Sequence, residues 1–271
     1  MTAAPLFGPA GWRLPAGHVD AVELAHRAGA DGLQLDLGGP GRGPWLDAPG
    51  TLERILDACA RHGVRPLAVA GNTLNDIGLH APTGSQDALR ARHVLIRVLD
   101  AAQALGAPLA FVPSFRRSAI TDRPELARTA TVLAWAAAEA RARGLLLANE
   151  NDLDPLRARD LVERVAADGF RLLLDTYNPR VAGVDAVALV EAVHPWLAPQ
   201  VHLKDGTGGS VTQGLLGDGD GPVREALAAL AAHGFTPEAL VLENDYRDGD
   251  PARLARDLHR ARTLHASASH P

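Results

Sequence analysis

Eight times along the 271 residues a short apolar run is followed by a longer segment of helical period, and no other feature restricts the fold as strongly. The apolar runs lie near 5–8, 31–37, 64–70, 108–113, 145–150, 171–175, 200–204 and 239–243. The helical segments lie near 18–29, 51–62, 85–106, 123–143, 156–168, 184–194, 221–233 and 251–265. Runs such as LLLA and RLLLD are apolar at nearly every position, the pattern of strands covered on both faces. Gly29, Gly63, Gly106, Gly144, Gly169 and Gly234 each follow a helix-like run, where a left-handed C-terminal cap favours glycine. Alternation of this kind makes a parallel sheet, and eight units predict a closed (β/α)8 TIM barrel, one domain over 1–271. An open doubly wound sheet is the alternative, weakened because LFGPAGW and LDLGGPGRG lack the dinucleotide fingerprint. The Gly/Pro-rich stretch at 38–50, GGPGRGPWLDAPG, reads as a surface loop, with a mobile cover over the site as its alternative.

Charge and composition narrow the partners. A formal charge of −5 and a pI near 6.1 give no footprint for a nucleic-acid backbone or an anionic membrane surface. No apolar run is long enough to span a bilayer, and the N-terminus lacks a basic segment followed by an apolar one, so a cytoplasmic protein is expected. The single cysteine, Cys59, lies in a helix-like run and reads as a packing residue. Of the 27 lysines and arginines, all but Lys204 are arginine. Oligomeric state is not readable, although barrels of this sort commonly associate.

In such a barrel the active site lies at the C-terminal ends of the strands. Those ends read LLLANE to Glu150, RLLLD to Asp175, VHLK with His202 and Lys204, and LVLE to Glu243. Strand alternation puts His202 and Lys204 on one face, and setting Leu203 against the outer helices turns both into the barrel mouth. Three carboxylates converging with little water repel one another unless a cation joins them. A divalent metal resolves that conflict, and three oxygen ligands with one nitrogen and no thiolate put Mn²⁺ or Mg²⁺ ahead of Zn²⁺ or Co²⁺.

LLLANEND, LLLDTYNP, VHLKD, GLLGDGDGPV and LVLEND, in this order and spacing, resemble the xylose-isomerase-like superfamily of sugar isomerases and epimerases. The resemblance implies that Glu150, Asp175, His202 and Glu243 hold one catalytic divalent metal, and that the two glutamates form the acid/base pair on opposite faces of the substrate. The chain departs from that pattern at three places: Asn178 and Asp152 stand where relatives often have His, and Gln34 where Glu is common. The departures bear on substrate rather than on the metal centre.

The chemistry expected is proton transfer through an enediolate in a small polyhydroxylated carbonyl compound, a sugar or cyclitol. Lys204 supplies the cation that offsets the residual negative charge of the site, with a salt bridge to Asp205 or to a barrel carboxylate as the plainer role. Trp12, Gln34, Asn72, Asp152 and Asn178 are the candidate substrate-binding residues. Arg116 and Arg117 read as a solvated pair ahead of an anion site, and GDGDG at 217–221 as a glycine turn beside the mouth ahead of a calcium loop. Two other functions compete with the isomerase or epimerase: a metal-dependent dehydratase of a keto-cyclitol or related hydroxyketone, and a sugar-binding protein without catalysis. An abasic-site nuclease of the same superfamily needs more histidines at the strand ends than AVAGN and FVPS provide.

Overall fold

Eight parallel strands form a nearly closed barrel in the computed structural model, which describes residues 4–211 and 214–269. The strands are β1 (Leu6–Pro9), β2 (Gly32–Asp36), β3 (Arg65–Ala70), β4 (Leu109–Pro113), β5 (Leu146–Glu150), β6 (Phe170–Asp175), β7 (Leu197–Leu203) and β8 (Ala239–Leu242). Each is followed by a major helix: α1 (His18–Arg27), α2 (Thr51–His62), α3 (Gln86–Ala104), α4 (Arg123–Ala142), α5 (Pro155–Val165), α6 (Ala186–Val193), α7 (Val223–Ala232) and α8 (Pro251–Ser269). Hydrogen bonds run in the order β1-β8-β7-β6-β5-β4-β3-β2. The β1–β2 seam is thinner: Asp31 donates its backbone N–H to Phe7 O at 2.7 Å, and Ala10 bridges Gln34. Glycine is required there, because a Cβ on Gly8 would stand 1.9 Å from Gly32 O.

The strand sequences sort their side chains into two cores. Phe111, Ala148, Leu173 and Ala198 pack together inside the barrel, while Leu147, Leu174, Leu203 and Leu242 face the helices. With side chains alternating along a strand, Glu150, Asp175, His202 and Glu243 continue the inward columns of Ala148, Leu173, Ala198 and Val241. Small inward residues below and charged ones above therefore leave room at the C-terminal mouth.

Local chemistry fixes where helices begin and end. Ser85, Asp122, Asp154 and Asp185 cap α3, α4, α5 and α6 with side-chain oxygens that accept backbone N–H groups of the first turn. The sequence expectation of a glycine cap at Gly169 is corrected: α5 stops at Val165, and the left-handed residue is Ala166 with φ 47°. The loop at 38–50 is pinned over one side of the mouth. Gly39 bridges Gly43, Thr73 Oγ1 donates to Gly38 O, and Arg97 stacks 3.9 Å over the ring of Trp45. A short antiparallel ribbon, Gly206–Thr207 with Ser210–Val211, follows β7 and was not expected. Two-residue strands carry too little alternation to be read from sequence. No helix among the described residues is long and apolar enough to cross a membrane.

Candidate metal centre

Beside three of the four inward ligand candidates lies an outward polar residue that staples the strand end to its neighbour. Next to Glu150, Asn149 donates from Nδ2 to Val112 O at 2.8 Å and to Ser114 Oγ at 2.9 Å, tying β5 to β4. Next to Asp175, Thr176 Oγ1 donates to Lys204 O at 2.7 Å and accepts from Lys204 N at 2.9 Å, tying β6 to β7. Next to Glu243, Asn244 accepts from Asp205 N at 2.9 Å and donates to Asp257 Oδ2 at 3.1 Å. Carboxylates crowded at a strand end repel, so a rigid rim is what keeps them converging. Asp175 has a further restraint: its Oδ1 accepts the N–H groups of Tyr177 and Asn178 at 2.8 and 2.6 Å.

Ligand atoms of Glu150, Asp175, His202 and Glu243 all lie within 4.8 Å of one another, and all four residues are buried. His202 Nδ1 has no hydrogen-bond partner, and Asp175 Oδ2 and Glu243 Oε2 are met only by the Lys204 ammonium, an expensive condition for buried polar atoms that a further shared cation relieves. These residues fit a divalent metal. His202 Nδ1 stands 3.4 Å from Glu243 Oε2 and 3.7 Å from Glu150 Oε2, close enough for attraction but too far for a good hydrogen bond.

The orientation of His202 is set from beneath. Leu67 O can only accept, so Gln200 turns Nε2 toward it at 2.6 Å and presents Oε1 to Gln34 Nε2 at 2.9 Å. Gln34 then presents Oε1 to His202 Nε2 at 2.8 Å, which must donate. A neutral His202 is thereby left with its lone pair on Nδ1, aimed at the carboxylates.

Two cations balance the cluster. Lys204 Nζ lies 2.5 Å from Glu243 Oε2, 3.1 Å from Asp175 Oδ2 and 3.0 Å from Asn178 Oδ1. Arg13 donates from Nε and Nη2 to Glu243 Oε1 at 3.2 and 3.0 Å, and Trp12 Nε1 donates to the same oxygen at 3.0 Å. Burial pushes the Glu243 carboxyl up, but Lys204, Arg13 and His202 together hold it well below the usual carboxylate range. Asp175 goes the other way: burial raises it, Lys204 opposes, and the charges of Glu243 and Glu150 add to the rise. For His202 burial works against protonation, yet Glu150 and Glu243 outweigh it and lift the imidazole to about 9. Lys204 is raised as well, its desolvation overcome by Asp175, Glu243 and Glu150.

Above the cluster opens a polar cavity of about 870 Å³. Glu150, Glu243, Lys204, Trp12, Asn72 and Asn178 line it. Asn178 donates from Nδ2 to Glu150 Oε1 at 2.7 Å while accepting from Lys204, so it couples one glutamate to the lysine. Two residues expected to bind substrate lie elsewhere. Gln34 is fully buried one layer down as the support of His202, and Asp152 is half-buried outside the cavity wall. Asp36, two residues beyond Gln34, takes the wall position, and burial raises its carboxyl to about 6 against the hydrogen bond from Asn72 N. Arg13 and Gln200 were not singled out from sequence. Arg13 follows Trp12 just beyond the first strand, but nothing local distinguishes it from other arginines; Gln200 shares the inward face of β7 with His202.

The GDGDG turn packs around Asp205. That carboxylate accepts from Gly206 N and Gly221 N at 2.8 and 2.9 Å through Oδ1, and from Gly217 N and Gly219 N at 2.8 and 2.9 Å through Oδ2. A Cβ on Gly219 would lie 2.1 Å from Gly206 O. The glycines therefore serve close approach to Asp205 rather than calcium.

Comparison with known proteins identifies the family of the chain. The profile of the xylose isomerase-like TIM barrel family matches residues 22–264. A 2-epi-5-epi-valiolone 7-phosphate 2-epimerase from Actinoplanes sp. is 51% identical over 257 residues, covering 95% of this chain and 93% of the relative. Among solved structures, D-psicose 3-epimerase with D-tagatose from Clostridium cellulolyticum H10 superposes with a TM-score of 0.78 at 16% identity, over 98% of this chain and 100% of the other. The IOLI protein with a bound zinc atom gives 0.79 at 16% identity over the same shares. The chain belongs to the xylose isomerase-like TIM barrel family.

Proposed function

We propose that this chain is a divalent-metal-dependent epimerase that inverts the carbon next to the carbonyl of a keto-cyclitol phosphate. The observation that carries the proposal is the pair of buried glutamates, Glu150 on β5 and Glu243 just beyond β8, facing one polar cavity beside Asp175 and His202. The 51% identity to a 2-epi-5-epi-valiolone 7-phosphate 2-epimerase supports the substrate class.

Glu150, Asp175, His202 and Glu243 are assigned as the metal ligands, with Mn²⁺ or Mg²⁺ favoured by the three oxygen donors. When bound, such an ion supplies Lewis acidity that lowers the cost of negative charge developing on a carbonyl oxygen. The residues do the rest. One glutamate takes the proton from the carbon and the other returns one to the opposite face, which inverts the centre without net loss of atoms. Lys204, protonated and buried, stands beside both Asp175 and Glu243 and adds fixed positive charge where negative charge grows. Arg13 and Trp12 fix Glu243 from one side, and Asn178 fixes Glu150 from the other.

The test is incubation of Mn²⁺-loaded protein in heavy water with 2-epi-5-epi-valiolone 7-phosphate. Deuterium at carbon 2 in both epimers is expected, with Glu150→Gln and Glu243→Gln each lowering the rate by about 10²–10⁴-fold while remaining folded. Loss of the carbon-2 hydroxyl, or turnover unchanged in both variants, would refute the assignment.

A further inference from the structure

We infer that Arg42 and Arg116 form the phosphate subsite of this cavity, an inference that rests on the epimerase reading of the same site. Two of the four arginines on the wall are already taken up by carboxylates. Arg13, Arg42, Arg116 and Arg247 line the cavity. Arg13 is taken up by Glu243, and Arg247 grips Asp245 with Nε and Nη2 at 2.7 and 2.6 Å, one carboxylate to one guanidinium. Arg42 and Arg116 divide a single carboxylate between them: Arg42 Nε reaches Asp76 Oδ2 at 2.7 Å, and Arg116 Nη1 reaches Asp76 Oδ1 at 3.3 Å. Two guanidiniums on one carboxylate leave an excess of positive charge at Asp76, which Asp36, acting on Arg42 through space, offsets in part. The second contact is long and Arg116 is 70% exposed at its side chain, so its planar fork is available to a tetrahedral anion.

Backbone geometry points the same way. Arg116 has φ 52°, in the left-handed region that a side chain larger than glycine adopts only under restraint. The restraint is visible. Phe115 N donates to Asn75 Oδ1 at 2.9 Å, and Ser118 Oγ donates to Leu74 O and accepts from Leu79 N, both at 2.7 Å. The loop after β4 is thus bolted to the loop after β3, and Arg116 is held over the mouth rather than left to wander. Such outliers cluster where a ligand is clamped.

Placement in the barrel fits a substrate reacting at one end and charged at the other. Arg42, Asp76 and Arg116 come from the loops after β2, β3 and β4, whereas Asp175, His202 and Glu243 come from β6, β7 and the end of β8 on the other side of the ring. Besides Asp76, which the two arginines already hold, the wall carries the Asp36 carboxyl. Its carboxyl is lifted by burial to about 6, which lowers the cost of its taking up a proton when a dianion arrives.

The test compares 2-epi-5-epi-valiolone 7-phosphate with its dephosphorylated counterpart on Mn²⁺-loaded protein, alongside titration of inorganic phosphate. In Arg116→Ala and Arg42→Gln the kcat/KM preference for the phosphorylated compound should fall at least tenfold, mainly through KM, and phosphate affinity should fall in parallel. Arg159→Ala, at an exposed helical ion pair away from the cavity, should change neither. An unchanged preference and unchanged phosphate affinity in both variants would overturn the subsite. If wild-type protein turns over neither compound, the epimerase reading fails, while phosphate titration of the same variants still decides the subsite.

Discussion

Leu67 contributes only a backbone carbonyl, yet that carbonyl decides which nitrogen of His202 faces the carboxylates, through Gln200 and then Gln34. The relay works because an amide has a donor end and an acceptor end, so fixing one end fixes the other. Replacing Gln34 by Leu keeps the volume near constant but leaves His202 Nε2 and Gln200 Oε1 without partners, and lets the imidazole choose the wrong tautomer. Loss of such a support behind a ligand costs typically 10–100-fold in metal affinity. Competition of Gln34→Leu against a fluorescent chelator for Mn²⁺ should therefore show a weakening within that range, with about 1–3 kcal/mol lost from the metal-free fold. Unaltered Mn²⁺ affinity would show that His202 needs no help from below. A carboxylate at position 34 would set the His202 proton by charge. An amide sets it by direction alone, which keeps one more negative charge out of a cluster that already holds three.

At the scale of elements, the ends of β5 to β8 each carry an inward titratable group and, in all but one, an outward polar one for registry. This is why ANEND, DTYN, VHLKD and LEND could be recognised as strand ends from sequence: alternation names the inward residue, and the apolar run names the strand. What alternation cannot give is register between strands far apart in the chain. Gln200 meets Gln34 across 166 residues and Arg13 meets Glu243 across 230, and neither pairing leaves a local trace. Asp152 lies off the cavity wall for a related reason: just past the strand end the chain turns toward the cap of α5, and strand alternation no longer applies. The loop after β7 is the clearest case of one residue organising an element, since Asp205 gathers four glycine N–H groups. Asp205→Asn would turn an NH₂ group toward donors, so two accepted bonds are lost and two groups of like polarity meet. A loss of about 3 kcal/mol is expected, with faster amide hydrogen exchange at Gly217, Gly219 and Gly221. Exchange no faster than wild type at those three amides would place the stability of the turn elsewhere.

At the scale of the whole molecule, eight major helices and the eight barrel strands among the described residues bury their apolar surface in a conventional two-layer barrel, and the clustered carboxylates stand at its mouth. A barrel stable enough to tolerate three clustered carboxylates makes pH a direct probe of them. His202 has its folded pKa raised from 6.5 to about 9, so in the metal-free protein its contribution is fully present below about pH 6.5 and is lost as pH rises through 9. Glu243 has its folded value depressed, so its contribution is present above the ordinary carboxylate range and lost only as pH falls through that low value. The alkaline limb therefore belongs to His202. Its full size is on the order of 3 kcal/mol, since one pKa unit corresponds to about 1.4 kcal/mol. For a domain of this length that is a fall in Tm of roughly 5–10 °C between pH 6.5 and pH 9.5. Saturating Mn²⁺ should flatten this limb, because a divalent ion on Nδ1 takes the place of the proton, and its binding at pH 7.5 should release close to one proton per site. Calorimetric titration in two buffers of different ionisation enthalpy measures that release. A metal-free Tm independent of pH across this span, or Mn²⁺ binding without proton release, would mean that His202 is already neutral among the carboxylates and that Lys204 and Arg13 alone balance them.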